Sequence, residues 1–94
     1  MDFNKVIAEL WNFRTSMSLS PVQQKTLMDT IFAIFSVEIW HITHNSELLK
    51  DRKTIINDLK QRIPELKFTN GLKQRFVNLF YHFAPSTYIY LKSL

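Results

Sequence analysis

The scarcity of glycine is the feature that most restricts how this chain can fold. The 94 residues contain one glycine, Gly71, and three prolines. A sheet protein of this size needs several tight turns, and the turns that join its strands favour glycine. The Asn70-Gly71 pair precedes a helical pattern instead of joining two alternating segments. The sequence therefore predicts an all-α fold.

Apolar residues recur with the period of an α-helix in four parts of the chain. Asp2 and Ser20 are suited to cap the first two helices, and Pro21 suits a first helical turn. Pro64 ends the third helix, because proline is not tolerated in a helix interior. The predicted helices span about residues 2–17, 21–44, 46–63 and 70–84.

These four amphipathic helices with short connections predict an antiparallel four-helix bundle. A chain of 94 residues is the size of one domain, so residues 1–94 are expected to form a single helical domain. The segment STYIYLKSL after Pro85 is apolar and aromatic, and we expect it to form a short C-terminal helix or tail. In the fourth helix the residues expected to face the core are Leu72, Phe76, Leu79, Phe80 and Phe83.

The second helix carries apolar residues on two sides. Ala33, Val37 and Trp40 form a strip opposite its main apolar band. A helix that is apolar nearly all round is either central in its fold or covered by a partner. The strip therefore has two interpretations: the first helix or the C-terminal tail covers it, or it is a docking face, including the seam of a homodimer.

The composition indicates a cytoplasmic protein. The chain has no cysteine, which excludes disulfides and thiolate zinc sites. The first residues, MDFNKVIAELW, do not have the basic and apolar regions of a secretory signal. No run approaches the roughly 20 apolar residues of a membrane span, so no integral membrane segment is expected.

The stretch EIWHITHNSE, residues 38–47, raises the question of a metal site. Glu38 and His41 have the E-x-x-H spacing of carboxylate-bridged di-iron bundles. Those sites need the motif on two helices, and His82 has no glutamate three positions before it. A mononuclear site of Glu38, His41 and His82 is the alternative; the prediction is that the protein binds no metal and no cofactor.

Glu38 falls in the main apolar band of the second helix, so it is expected to be a buried polar residue. Arg14 and Arg52 also fall within the apolar stripes of their helices and are likewise expected to be buried polar residues. A buried charge must be paired, and we therefore predict that Glu38 contacts one of these arginines. The alternative is that Glu38 and an arginine line a functional cavity.

No catalytic constellation stands out in the remaining sequence. A nucleophile would have to be an activated serine or threonine, and the serines lie in caps, turns and the tail. One glycine cannot build a glycine-rich phosphate loop. We therefore expect that the protein is not an enzyme.

The net charge is +4, and the excess of basic residues lies in the second half of the chain. Seven of its basic residues define what we call the basic edge, which is suited to bind an anionic partner. The partner could be an acidic protein, nucleic acid or an anionic membrane surface. A face that is merely solvated and binds nothing is a further interpretation of the same charge. The helical period over residues 46–63 continues without the turn that a helix-turn-helix needs. The residues of the basic edge are Lys50, Lys53, Lys60, Arg62, Lys67, Lys73 and Arg75.

Four aromatic residues are the second candidate surface. Tyrosine and tryptophan often anchor protein interfaces, although packing of the tail on the other helices would also explain the tyrosines. The four are Trp40, Tyr81, Tyr88 and Tyr90.

The chain resembles bacteriocin immunity proteins in its size, basic balance, absence of cysteine and four amphipathic helices with a short tail. Small phage and plasmid regulators that block a host protein are similar in the same respects. The resemblance implies a cytosolic antiparallel bundle that works by binding. We therefore expect a protein-binding module acting as an inhibitor, immunity factor or regulatory adaptor. A DNA-binding regulator that uses the basic edge is the alternative.

Overall fold

The computed structural model describes residues 2–94 of the chain. Within that range it contains six helices and no strand, which confirms the predicted all-α fold. None of the helices in this range is long and apolar enough to cross a membrane. The helices are α1 (Phe3–Ser16), α2 (Pro21–Thr43), α3 (Ser46–Lys50), α4 (Arg52–Arg62), α5 (Gly71–Phe83) and α6 (Pro85–Lys92).

The first two helices begin as their sequences predict. The Asp2 carboxylate caps α1 by accepting a hydrogen bond from the backbone N–H of Lys5 at 3.1 Å. At the start of α2, Ser20 and Gln23 form a reciprocal capping box, and Pro21 occupies the first turn. These side chains satisfy N–H groups that a helix leaves without intrahelical partners.

The predicted third helix is divided in two at Asp51, so the expectation of one unbroken helix over residues 46–63 is wrong. Asp51 has φ −90° and ψ 8°, outside the helical range. The Arg52 guanidinium donates to the Leu49 carbonyl oxygen at 2.8 Å and so satisfies an acceptor beside the break. Backbone hydrogen bonds from Asp51 to Glu47 and from Ile55 to Asp51 continue across it. The chain therefore bends at Asp51 instead of forming a turn of several residues.

A non-helical segment supplies the centre of the core. Residues 63–70 connect α4 to α5, and within them Ile63, Leu66 and Phe68 are fully buried. The Phe68 ring lies 5.1 Å from the ring of Phe32 and 5.2 Å from that of Phe35, measured between centroids. Such aromatic pairs add to the free energy of burial. The connection thus holds α2 against the second half of the chain.

The other buried apolar residues come from five of the six helices. They form one cluster with Ile63, Leu66 and Phe68 and consist of Ile7, Trp11, Met28, Ile31, Phe35, Ile39, Ile42, Ile56, Leu59, Val77, Tyr81 and Ile89.

Candidate docking surface

The apolar side of α5 points to solvent, so the prediction that it faces the core is wrong. Leu72 is 86% exposed, Phe76 60%, Leu79 52% and Phe83 81%. Phe80, also expected in the core, is half-buried. The side of α5 that is buried carries Gln74, Val77 and Tyr81 instead. We call the exposed row Leu72, Phe76, Leu79 and Phe83 the α5 face.

Polar contacts fix the rotation of α5 about its axis. The Gln74 amide nitrogen donates to Asp29 Oδ1 of α2 at 2.8 Å, and Gln74 Oε1 accepts from the Asn70 backbone N–H at 3.1 Å. One turn later, Asn78 Oδ1 accepts from the Phe68 backbone N–H at 3.1 Å. Buried polar groups must be hydrogen-bonded, and turning α5 to bury its apolar row would break the bonds from Gln74 to Asp29 and from Phe68 to Asn78. No local pattern in the sequence indicates these partners.

The α5 face has the spacing of a coiled-coil seam. Its residues follow one another at intervals of four, three and four, as a and d positions of a heptad do. Beside the seam, the Phe80 ring packs on Phe76 at 5.1 Å and stacks on Tyr88 of α6 at 5.3 Å between centroids. Phe80 thus packs against Phe76 while most of the Phe76 side chain remains exposed.

The charged side chains on α5 itself are all basic. The helix contains Lys73, Arg75 and His82 and no acidic residue. Lys67, from the preceding segment, lines a hollow together with Arg75, His82 and two residues of the face, Leu79 and Phe83. The apolar row is therefore flanked by cationic side chains.

The residues of the basic edge lie in several different environments. Lys67 and Arg75 border the α5 face, and Lys73 lines a pocket of about 300 Å³ with Trp40, Tyr88 and Lys92. Lys50 and Lys53 are exposed on α3 and α4. The other two are engaged: the Lys60 ammonium lies over the Tyr81 ring, and the Arg62 guanidinium contacts Asp58 and Asp2.

The aromatic set is also divided. Tyr81 is buried in the core. Tyr88 is half-buried and lines the same pocket as Trp40, on the side of α2. Tyr90 is exposed, and the Arg52 guanidinium lies over its ring, with 5.4 Å between the guanidinium carbon and the ring centroid. The structure thus brings Trp40 and Tyr88 together at one pocket, while Tyr81 lies in the core and Tyr90 lies against Arg52.

The second apolar strip of α2 is largely open to solvent. Ala33, Val37 and Trp40 are all exposed, although Val37 lines a pocket with Phe3 of α1 and Trp40 lines one with Tyr88 of α6. The Trp40 ring stacks on the His44 imidazole at 4.2 Å between centroids. This strip is a smaller exposed apolar surface than the α5 face.

Glu38 is buried as predicted, but neither predicted arginine pairs with it. It is 4% exposed, and its Oε1 atom has no hydrogen-bond partner among residues 2–94. Arg14 donates to the Gln24 carbonyl oxygen and lies over the Trp11 ring. Arg52 donates to Ser86 and Leu49. Both arginines are only partly buried, so the prediction that they are buried polar residues is wrong, and their guanidinium groups donate to other acceptors.

The electrostatic surroundings of Glu38 favour its protonated form. Burial, together with the negative charges of Asp2 and Asp58, raises the pKa of Glu38 from 4.5 to about 7. A carboxyl group removed from water resists ionisation because no solvent stabilises its charge. Glu38 is thus the titratable group most perturbed in the physiological pH range.

Of the two histidines considered as ligands with Glu38, only His41 lines the same pocket as Glu38. His41 is exposed and packs on the Phe3 ring at 5.4 Å. His82 Nε2 donates to the Leu66 carbonyl oxygen at 2.9 Å, in the hollow beside the α5 face. No group of three or more potential metal ligands is found within residues 2–94.

Comparison of the chain with protein-family models, with curated proteins and with solved structures gave no match.

Proposed function

We propose that the protein is a protein-binding module whose α5 face captures an amphipathic helix with acidic flanks on its partner. In this role it acts as an inhibitor, immunity factor or regulatory adaptor in the cytoplasm. The observation that carries the proposal is the exposure of four large apolar side chains in one row on α5. Contiguous exposed apolar surface of this kind marks interaction sites in folded proteins.

The shape of the α5 face favours a helix as the occupant. An a/d row presents ridges that fit the grooves of a second helix. The 13 residues of α5 extend over about 20 Å, which matches roughly four turns of a partner helix. Side chains such as Phe76 would serve as anchors, because large apolar groups near the centre of an interface contribute most of its binding free energy.

The charge around the face favours an acidic partner over a second copy of this chain. Two copies of α5 would bring together Lys73 and Arg75 from both chains, with no carboxylate on either helix to neutralise them. Like charges placed opposite each other oppose association. A helix that carries glutamate or aspartate beside its apolar row would instead pair with these cations.

The same surface is less suited to membranes or DNA. Binding to anionic lipid takes clusters of about 4–8 basic residues, whereas α5 carries Lys73, Arg75 and the nearby Lys67. DNA binding depends on contacts between cations and phosphates, and an apolar row between the cations adds nothing to such contacts. Both remain as alternative outcomes of the experiment below.

The proposal is tested with synthetic helical peptides and fluorescence anisotropy. Two peptides of three heptads share an identical leucine row, and one has glutamate and the other lysine at the flanking positions. We expect the glutamate peptide to bind about tenfold or more tightly than the lysine peptide, because only the former complements the cations of α5. The double variant Phe76→Ser/Leu79→Ser should lose at least about tenfold in affinity.

The control is Val22→Ser, which removes an exposed apolar side chain at the start of α2. It should bind the glutamate peptide as the wild type does. Equal binding by the wild type and the double variant would refute the α5 face as the docking site. The proposal would also be overturned if the wild type bound duplex DNA or phosphatidylserine vesicles instead of the peptides and the double variant lost that binding.

A further inference from the structure

A second concave site lies away from the α5 face, between α1, α2 and the α3–α4 pair. It is a pocket of about 670 Å³ that is open to solvent. Its apolar walls include Phe3, Ile42 and Leu48, and its polar groups include Glu38 and Asn4. Pockets of a few hundred cubic ångströms with mainly apolar walls and a few polar groups are typical of small-molecule sites.

Two buried atoms on residues that line this pocket have no hydrogen-bond partner. They are Glu38 Oε1 and Asn4 Oδ1, and their residues are 4% and 6% exposed. The Asn4 amide is correctly oriented, because its nitrogen donates to the Ile55 carbonyl oxygen and to Asp58 Oδ2, both at 2.9 Å. Asn4 Oδ1 is therefore an acceptor, and Glu38 Oε1 is an acceptor when the carboxyl group is ionised. Unsatisfied buried acceptors cost free energy, and a ligand that donates hydrogen bonds would remove this cost.

The charges in the pocket indicate which kind of hydrogen-bond donor a ligand would carry. Asp2 and Glu38 line it, and no lysine or arginine does. We propose that this pocket binds a small organic ammonium ion, whose N–H groups donate to Glu38 and Asn4 and whose apolar body packs on Phe3, Ile42 and Leu48. An ammonium group supplies three donors and no acceptor, which matches the two orphaned atoms and the negative charge. This site is independent of the function proposed for α5.

Binding of such a cation depends on pH through the groups around Glu38. Because the ammonium ion pairs with ionised Glu38, binding must remove the proton that Glu38 holds below about pH 7. The other groups that face this site are Asp2 and His41 within the pocket, Asp58 on α4, and Arg62, which contacts both aspartates. The carboxylates of Asp2 and Asp58 attract the cation, and the Arg62 guanidinium that contacts both of them partly offsets this attraction. Affinity should therefore rise with pH.

The experiment is an NMR titration of the intact protein with three ligands of equal chain length: hexylammonium, hexanol and hexanoate. We expect hexylammonium to bind at about pH 8 with a Kd below about 1 mM, shifting the amide signals of pocket residues. Affinity should be roughly tenfold lower at pH 6, where most Glu38 is protonated. Hexanol and hexanoate should bind at least about tenfold more weakly, because neither supplies a cationic donor.

Glu38→Gln is the matched variant, because it keeps the size of the side chain and removes its charge. It should reduce hexylammonium affinity by about tenfold or more at pH 8 and abolish the pH dependence. Glu9→Gln, which changes an exposed glutamate outside the pocket, should leave both unchanged. Equal affinity for hexanol and hexylammonium, undiminished binding by Glu38→Gln, or no binding of hexylammonium at millimolar concentration would each overturn the proposal.

Discussion

Replacing Glu38 with glutamine should stabilise the protein at alkaline pH and have no effect in acid. The folded protein holds the Glu38 proton up to about pH 7, whereas the unfolded chain releases it near the ordinary glutamate pKa of 4.5. As the pH rises between these values, the unfolded state loses its proton first, and the wild type loses stability. Below pH 4.5 the residue is neutral in both states, so its contribution to stability is fully present there and is lost by about pH 7.

The magnitude follows from the distance between the two pKa values. Each pH unit between them changes the free energy of unfolding by about 1.4 kcal/mol. Over the interval from 4.5 to about 7, the ionisation of Glu38 costs the wild type roughly 3 kcal/mol. Glutamine has nearly the same shape and cannot ionise. The difference in stability between Glu38→Gln and the wild type should therefore grow from near zero at about pH 4 to roughly 3 kcal/mol at about pH 8.

The assay is urea denaturation of both proteins at several pH values, with the free energy of unfolding extrapolated to water. Comparing the two proteins at each pH cancels the titration of the other carboxylates. Glu9→Gln is the control, because Glu9 is exposed, and its difference from the wild type should stay near zero at every pH. A Glu38→Gln difference that does not change with pH would refute the reasoning. So would a variant less stable than the wild type at pH 8.

Three further predictions concern the fold. Phe68→Ala should lower the free energy of unfolding by about 3–5 kcal/mol, because Phe68 is fully buried among aromatic rings; a loss below about 1 kcal/mol in urea denaturation would contradict its central position. Gly71→Ala should cost about 1–2 kcal/mol, because Gly71 has φ 79° although a Cβ would meet no atom within 4 Å; a raised melting temperature would count against this backbone conformation. Gln74→Ala should cost about 1–3 kcal/mol by leaving its partners unsatisfied, with faster hydrogen exchange in α5; unchanged exchange would mean that the bond to Asp29 does not hold the helix.

The sequence by itself determined the helical class and most of the helix ends. These features depend on neighbouring residues: apolar side chains at helical period, the caps at Asp2 and Ser20, and the prolines at positions 21, 64 and 85. The burial of Glu38 could also be predicted, because its position within an apolar band is a property of one helix. The bend at Asp51 could not, since the helical period continues through it.

Only the tertiary structure decided which face of α5 is buried and what surrounds Glu38. The apolar row of α5 predicts a buried face by itself. Hydrogen bonds from Gln74 to Asp29 and from Phe68 to Asn78 join residues far apart in the chain and hold that row outward. In the same way, neither Arg14 nor Arg52 pairs with Glu38, because Arg14 donates to Gln24 and Arg52 donates to Ser86. Hydrophobic periodicity identifies the apolar side of a helix. Whether that side packs in the core or remains free for a partner depends on contacts between residues distant in the sequence.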